Sequence, residues 1–393
     1  MSAIYHRPKL AEEMTRQLLR PGILDQGLRS GLFLSGLRRT GKTTFLRHDL
    51  IPALENAGAV VIYVDLWSDT TADPSTLIHA ALRSTLQQLK TPTSSLLERL
   101  RAIKGLDLGV AGFSFGFELE SLGAPAGPSI ARALIEVIDQ AGSDVVFIVD
   151  EVQHMLTSET GLSLMQGLKA ARDAVNARPG TPGHFIFIGT GSHRAQVVGM
   201  TVQGRNAFEG ATSVEYPVLG EDFVGHVIEG LRREGVSVIP SLQQAFEAFA
   251  ILGRRPEELL RALNTLQLYK PQEADQYLPV IAATLKRVAA DLELRKIDDL
   301  GSLAGAVFNR IAQSIEDASG LFSAAALADY ASGVGRDVSA DQVQRIAQQL
   351  QDFNLIVRKG YGRYAVTDPF VQEAWREHRA ALDPIGREAG IRT

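Results

Sequence analysis

The sequence predicts an α/β fold, a three-layer domain with a parallel sheet, followed by a region of helices only and then by a third domain. Short runs of β-branched and aromatic residues alternate with stretches of helical spacing in the first half of the chain. The runs are apolar throughout, which is typical of strands buried on both faces of a parallel sheet. The five predicted strands are 31–35, 59–66, 145–149, 184–188 and, with less support because it contains Pro217, 213–218.

Helical stretches lie between these strands and complete a βαβ pattern over residues 1–220. They span residues 42–57, 74–90, 128–141 and 161–177. One segment breaks the alternation: 106–122 has aromatic residues and glycines at a spacing of two. We predict a β-hairpin insertion there, which either packs on its own domain as a flap or contacts a subunit or ligand.

After Gly220 the pattern changes to helices only. Apolar residues at spacings of three and four predict helices at 221–234, 241–252, 256–268 and 273–294, which we interpret as a helical lid over 221–297. The last region, 298–393, contains predicted helices near 303–314, 323–331 and 339–352, then strands at 354–359 and 363–367. Three helices followed by two strands is the order of a winged-helix domain.

Composition narrows the possible functions. The chain has 393 residues, a formal charge of −5 and a pI near 6.0, so binding to nucleic acid or an anionic membrane would need a local basic patch. It contains no cysteine, which excludes disulfides and thiolate metal sites. The apolar runs are too short to cross a bilayer, and the first residues lack the apolar core of a signal peptide. We therefore expect a cytoplasmic protein that does not contact a membrane.

A phosphate-binding loop follows the first predicted strand and opens the next helix. The segment matches the pattern G-x-x-x-x-G-K-[ST], and with the following threonine it consists of Gly36, Leu37, Arg38, Arg39, Thr40, Gly41, Lys42, Thr43 and Thr44. Its glycines let successive backbone N–H groups point at phosphate. Lys42 is expected to reach the β- and γ-phosphates, and the Thr43 hydroxyl to bind Mg²⁺. The loop therefore predicts ATP and Mg²⁺ as ligands.

An acidic pair, Asp150-Glu151, follows the third predicted strand. A carboxylate at the end of a neighbouring parallel strand can hold Mg²⁺, and we give this role to Asp150. Glu151 would then deprotonate the attacking water as a general base. The alternative is that the pair only caps the helix that follows.

The loop, the acidic pair, the helical lid and the terminal winged helix together resemble AAA+ ATPases of the origin-initiator and archaeal-ATPase type. Signal-transducing STAND ATPases share this layout, and the stretch DEVQHML resembles the DE-x-Q signature of transposition regulators. The resemblance implies a three-layer P-loop NTPase domain and a molecular switch that hydrolyses ATP. It also implies assembly into a homo-oligomer under nucleotide control.

Further roles are implied by this resemblance alone. Thr190 corresponds to the polar sensor near the γ-phosphate, although a strand-end threonine bonded to backbone is the alternative. Arg255 or Arg254, at the start of a lid helix, corresponds to the second sensor. Arg205 corresponds to the arginine finger offered to a neighbouring subunit, with Arg194 as a competitor, and each arginine has a plain surface role as its alternative.

The predicted winged helix leaves its target open. Polar side chains suited to groove contacts lie on its third helix, and basic ones on the following turn. The helix offers Gln342, Gln344, Arg345, Gln348 and Gln349, and the turn offers Arg358, Lys359, Tyr361 and Arg363. Acidic residues lie close by, so the domain is not basic as a whole. The sequence therefore supports both DNA and a protein partner, the latter in a STAND-type signalling or defence ATPase.

Overall fold

The computed structural model describes residues 4–69, 71–105, 112–124, 127–192, 197, 199–201, 207–315, 317–360 and 362–389. The chain divides into two compact units, Met1–Pro217 and Val218–Thr393. The finer division of the second unit near residue 297 remains a prediction.

The first unit is built on one parallel sheet. Its strands are β1 (Leu32–Ser35), β2 (Val60–Asp65), β3 (Val145–Asp150), β4 (Phe185–Gly191) and β5 (Thr212–Glu215). They lie side by side in the order β2-β3-β4-β1-β5, and every neighbouring pair is parallel. All five predicted strands are confirmed, and so is the α/β class.

The two faces of this sheet are covered by separate apolar clusters, because side chains alternate along a strand. On β3 and β4 the odd-numbered residues, such as Phe147 and Phe187, pack into one cluster. The even-numbered residues, such as Ile148 and Ile188, pack into the other. All of these side chains are buried, so the runs are apolar throughout and the unit has three layers.

Helices supply the outer layers. In chain order they are α1 (Pro8–Leu19), α2 (Lys42–Phe45), α3 (Ile51–Asn56), α4 (Pro74–Lys90), α5 (Ser95–Lys104), α6 (Ile130–Ala141) and α7 (Glu159–Asn176). A π-helical turn, Leu46–Leu50, joins α2 to α3, so the predicted helix 42–57 is continuous. Two of the helices, α1 and α5, were not predicted.

The predicted β-hairpin at 106–122 needs correction. Residues 106–111 lie outside the described part of the chain, and 112–122 contain no strand. This described portion runs beside α6 and ends in a short 3-10 turn, Leu119–Ser121. The prediction of a hairpin here was therefore wrong for the part that can be compared.

Side chains of α6 take the place of the missing strand partner. The Gln140 side chain bonds both the N–H and the carbonyl of Ser114, at 3.0 and 2.8 Å. Glu136 accepts from the N–H of Gly116, and Arg132 donates to its carbonyl. Spacing by two thus reflects an extended segment that lies against a helix, where its backbone groups are satisfied without a second strand.

The second unit is helical, with one small sheet. Its elements are α8 (Glu221–Arg233), α9 (Leu242–Ile251), α10 (Pro256–Leu266), α11 (Ala274–Asp299), α12 (Ser302–Ala312), α13 (Ala324–Val334), α14 (Ala340–Asp352), β6 (Ile356–Gly360), β7 (Arg363–Val366) and α15 (Pro369–Ala389). The predicted lid helices are present. The helix α11 packs against α9 and α10, but it is longer than predicted and crosses the predicted boundary.

The last part of this unit contains three helices and a small two-stranded sheet. The strands β6 and β7 pair antiparallel, and Ala318, between α12 and α13, forms an isolated bridge with Tyr364 of β7. The apolar core joins α12, α14 and the strands, and it includes Leu294 and Ile297 from the end of α11. The predicted order of three helices and two strands is confirmed.

None of the helices in the described residues is both long and apolar enough to cross a membrane.

Candidate functional site

The functional side chains meet at the carboxyl-terminal edge of the parallel sheet. The end of β1 is in register with the end of β4, Ser35 opposite Gly191, and Asp65 ends β2 opposite Asp150 on β3. The segments that follow these strands therefore leave the sheet side by side. Such an edge is where open parallel sheets bind ligands.

The loop between β1 and α2 has the backbone of a phosphate cradle. Gly41 has φ 90° and Arg39 has φ 62°, both in the left-handed region, and the loop ends at the first residue of α2. Lys42 is 7% exposed, and its Nζ donates to the carbonyls of Gly36 and Leu37 at 2.9 and 3.1 Å. The ammonium is thus folded back into its own loop, beside the N-terminus of a helix.

Burial dominates the electrostatics of Lys42. It lowers the pKa of the ammonium below its ordinary value, while the nearby carboxylates of Glu151 and Asp150 act in the opposite direction. A buried cation is stabilised by anionic partners. The pocket is therefore suited to bringing further negative charge next to Lys42.

Asp150 is hydrogen-bonded to two other predicted site residues. It is 1% exposed, and its Oδ2 accepts a 2.7 Å hydrogen bond from the Thr43 hydroxyl. Thr190, fully buried at the end of β4, donates to Oδ1. The Thr190 hydroxyl thus bonds a carboxylate side chain, and the alternative of a backbone-bonded strand-end threonine is not what the structure has.

The donor set around Asp150 fits Mg²⁺. Carboxylate and hydroxyl oxygens are ligands that this ion prefers, and it is usually held by one or two carboxylates together with phosphate oxygens. Within the described residues there is no cluster of three or more metal-binding side chains that could hold an ion alone. Asp150 and Thr43 therefore suit an ion that arrives with a phosphate ligand.

Glu151 is held in an unusual backbone conformation. Its φ of 55° and ψ of 46° lie in the left-handed region, which costs a residue other than glycine about 1–3 kcal/mol. Its Oε2 accepts hydrogen bonds from the Gln153 amide, from the Ser192 hydroxyl at 2.9 Å and from the Ser192 N–H at 3.3 Å. The pair does not simply cap a helix, because these bonds turn the carboxylate toward β4.

These bonds also set the charge of Glu151. Burial raises the pKa of its carboxyl, but the hydrogen bonds from Gln153 and Ser192 and the charge of Lys42 outweigh it, so the pKa lies below its ordinary value. A base must be ionised to accept a proton. The carboxylate is therefore in the form that base catalysis requires.

Sequence reasoning assigned no role to the residues that hold Glu151. Ser192 also accepts a hydrogen bond from Nε of Arg38, at 3.2 Å, and the Arg38 guanidinium lies 4.6 Å from the centre of the Trp67 ring. The available signals were two polar residues near strand ends: Gln153, three residues after β3, and Ser192, directly after β4. Their meaning depends on β3 and β4 being neighbours, which the sequence does not reveal.

The remaining predicted residues belong to other parts of the chain. Arg194 and Arg205 lie outside the described residues. Arg254 and Arg255 belong to the second unit, where Arg255 pairs with Asp368 at 2.5 Å and lies over the Phe370 ring. The sensor and finger roles of these arginines stay predictions.

A second candidate surface lies on the predicted winged helix. On α14, Gln344, Arg345, Gln348 and Gln349 are exposed. The Gln342 side chain is used in a capping box with Ser339, so it serves the start of the helix. On β7, Arg363 pairs with Asp317 at 2.8 Å, which offsets part of the positive charge of the wing.

Part of the chain matches a known protein family. Residues 26–197 match the family model described as "AAA domain". No curated protein matches the chain. Among solved structures, the ORC2 protein of Aeropyrum pernix in its ADP form is similar over 96% of this chain and 96% of that chain, with 13% identity and a TM-score of 0.52.

Two further structures align over most of the chain with lower scores. The ORC1 protein of Aeropyrum pernix, solved in complex with DNA, has 15% identity, covers 95% of this chain and 93% of that chain, and has a TM-score of 0.44. Cdc6p from Pyrobaculum aerophilum has 13% identity, covers 96% and 97%, and has a TM-score of 0.39. At these identities the ORC2 match indicates a shared fold, in agreement with the order of elements described above.

Proposed function

We propose that this chain is a molecular switch that binds ATP with Mg²⁺ and hydrolyses it, and the match of residues 26–197 to the AAA-domain model supports this. The observation that carries the proposal is the separation of two adjacent carboxylates into two tasks. Asp150 receives the hydroxyls of Thr43 and Thr190, whereas Glu151 is turned to Ser192 and Gln153. In this proposal one carboxylate holds an ion and the other accepts a proton.

The proposed roles follow from these contacts. The loop Gly36–Thr44 binds the phosphates through its backbone and through Lys42, while Thr43 and Asp150 hold the metal ion. When bound, Mg²⁺ neutralises phosphate charge and favours attack at the γ-phosphorus. Thr190 fixes the orientation of Asp150, and Glu151 takes the proton of the attacking water. Magnesium-dependent release of phosphate from ATP by the purified chain tests this proposal directly, and no release above a Lys42→Ala variant would contradict it.

We also propose that hydrolysis is shared between subunits of a homo-oligomer. A γ-phosphoryl group in transfer needs cations beyond Lys42 and the metal ion. Arg255 is engaged by Asp368 within the second unit, and Arg205 is the candidate for a cation supplied by a neighbour. We expect specific activity to rise with protein concentration over a hundredfold range, because dilution separates the subunits. Phosphate release measured across this range tests the expectation.

Mixing of variants sharpens this test. Arg205→Ala mixed with Glu151→Gln should recover part of the activity, since an intact site then meets an intact arginine. The control is Lys42→Ala mixed with Glu151→Gln, where every site is defective and no recovery is expected. Constant specific activity together with no recovery in the first mixture would show that each site works alone.

For the output of the switch we propose DNA as the target of the winged helix. The support is the exposed polar face of α14, with Arg345 beside three glutamines, and the exposed Arg358 on β6. Glutamine and arginine side chains can bond base edges, and arginine also binds phosphate. Lys359 and Arg363 on the same wing would add to the phosphate contacts.

Replacing both Arg345 and Arg358 by alanine should weaken DNA binding and leave ATP binding intact. Two lost phosphate contacts should reduce the slope of log affinity against log salt by about 1.8. Fluorescence anisotropy of a labelled duplex at several salt concentrations measures this slope. Arg232→Ala combined with Arg233→Ala, which removes two exposed arginines from the predicted lid, is the charge-matched control.

The second candidate is a STAND-type signalling or defence ATPase whose winged helix binds protein. The ion pair between Arg363 and Asp317 supports it, because a neutralised wing attracts phosphate less strongly. Retention on DNA at low salt separates the two. A wild-type chain that fails to bind any duplex at low salt would favour the protein partner.

A further inference from the structure

The described hydrogen bonds hold the side chain of Glu151 through one of its two carboxylate oxygens. Among the described residues, all of its side-chain hydrogen bonds as acceptor end on Oε2, from Gln153 and from the hydroxyl and N–H of Ser192. Oε1 carries no bond from these residues. A carboxylate held in this way has a fixed direction and keeps one oxygen for a water molecule.

The packing around Gln153 holds its side chain in this contact. It is 4% exposed, and while its amide nitrogen donates to Glu151, its Oε1 has no partner within the described residues. A Cβ atom on Gly191 would lie 2.3 Å from that oxygen, so only glycine there lets the glutamine lie against β4. A buried unsatisfied oxygen destabilises a fold, and its presence at the site points to a functional reason for the glutamine.

A second hydrogen bond holds the Ser192 hydroxyl in place. Its hydroxyl accepts from Nε of Arg38 and donates to Glu151, so both hydrogen-bonding directions of the oxygen are used. Arg38 is itself placed by stacking on Trp67. The contacts form a chain from the phosphate-binding loop, through Arg38 and Ser192, to the carboxylate of Glu151.

We propose that Gln153 and Ser192 are positioning residues that aim Glu151 at the attacking water, and that Arg38 orients Ser192. The inference rests on the proposed ATP hydrolysis and adds to it. In this proposal Gln153 and Ser192 act through Glu151 and not directly on the reacting atoms. Their effect is on the placement of the base, so they should change the rate of the chemical step and leave nucleotide binding nearly unchanged.

The test is a split between kcat and KM in purified full-length variants. Ser192→Ala and Gln153→Leu should each lower kcat for ATP by about 10–100-fold, the effect of losing a hydrogen bond to a charged group. KM should stay within about twofold of the wild-type value. Ser192→Thr keeps the hydroxyl and should restore most of the rate. Gly191→Ala, which pushes Gln153 away, should act like Gln153→Leu.

Arg38 is tested through its coupling to Ser192. If Arg38 acts by orienting that hydroxyl, the kcat loss of Arg38→Ala should largely disappear in the Ser192→Ala background. Ser143→Ala is the matched control. Ser143 is, like Ser192, a buried serine, but its hydroxyl donates to the backbone carbonyl of Gly58 and it lies just before the start of β3, at the other end of that strand from Glu151. This control should keep the wild-type kcat.

The possible results distinguish failure of the positioning role from failure of the proposed ATPase function. If the wild type releases no more phosphate than Lys42→Ala, the proposed ATPase function fails. If Glu151→Gln is slow while Ser192→Ala and Gln153→Leu keep or exceed the wild-type kcat, only the positioning role is overturned. Full additivity of Arg38→Ala and Ser192→Ala would overturn the part assigned to Arg38.

Discussion

Replacing Lys42 by alanine is expected to abolish both ATP binding and hydrolysis while the chain stays folded. The ammonium is the one buried cation that the described loop places against Glu151 and Asp150, and its loss leaves two carboxylates facing the phosphates. Each charge-assisted hydrogen bond is worth about 1.5–3 kcal/mol, so the affinity for ATP should fall by about 100-fold or more.

Titration with a fluorescent ATP analogue and a phosphate-release assay measure the two losses. Lys90→Ala, at the exposed end of α4, removes an equal charge far from the loop and should behave as wild type. Circular dichroism should give the same helix content for both variants, because Lys42 bonds only to the backbone of its own loop. A Lys42→Ala chain that turns over ATP at the wild-type rate would refute the phosphate site.

Replacing Glu151 by glutamine should have the second largest effect, a loss of hydrolysis with binding preserved. The amide has nearly the shape of the carboxylate, and its oxygen can still accept from Gln153 and Ser192. It cannot accept a proton from water at neutral pH. The rate should therefore fall by about 10²–10⁴-fold, the usual contribution of general base catalysis.

Single-turnover measurements with bound ATP isolate this step. Asp150→Asn is the informative comparison, because loss of the carboxylate that bonds Thr43 and Thr190 should weaken nucleotide binding as well as the rate. If Glu151→Gln converts bound ATP to ADP as fast as wild type, another group is the base.

The sheet and the phosphate loop were predictable because both depend on short segments. Strands such as β3 are continuous apolar runs, and the loop is defined by the spacing of Gly36, Gly41 and Lys42. The helix α1 was also within reach, since Pro8 at a first helical position precedes a periodic apolar pattern.

The hydrogen bonds that hold Glu151 could not be predicted in the same way. Gln153 and Ser192 are far apart in sequence and meet only because β3 and β4 are neighbours in the sheet. The false hairpin has a related cause. Aromatic residues and glycines at a spacing of two predict a strand, but a helix can satisfy the backbone groups of Ser114 and Gly116 instead, and the sequence does not say which partner is present.

The helix α11 connects the two parts of the second unit as one continuous element. Its 26 residues extend for about 39 Å without interruption, with the first turns among the predicted lid helices and the last ones, at Leu294 and Ile297, inside the core of the winged helix. A tilt of about 10° at the lid end would carry the far end through about 7 Å, twice the width of a base-pair step. A small rotation at the lid end of a rigid α11 would thus produce a larger displacement at its far end, where Leu294 and Ile297 lie.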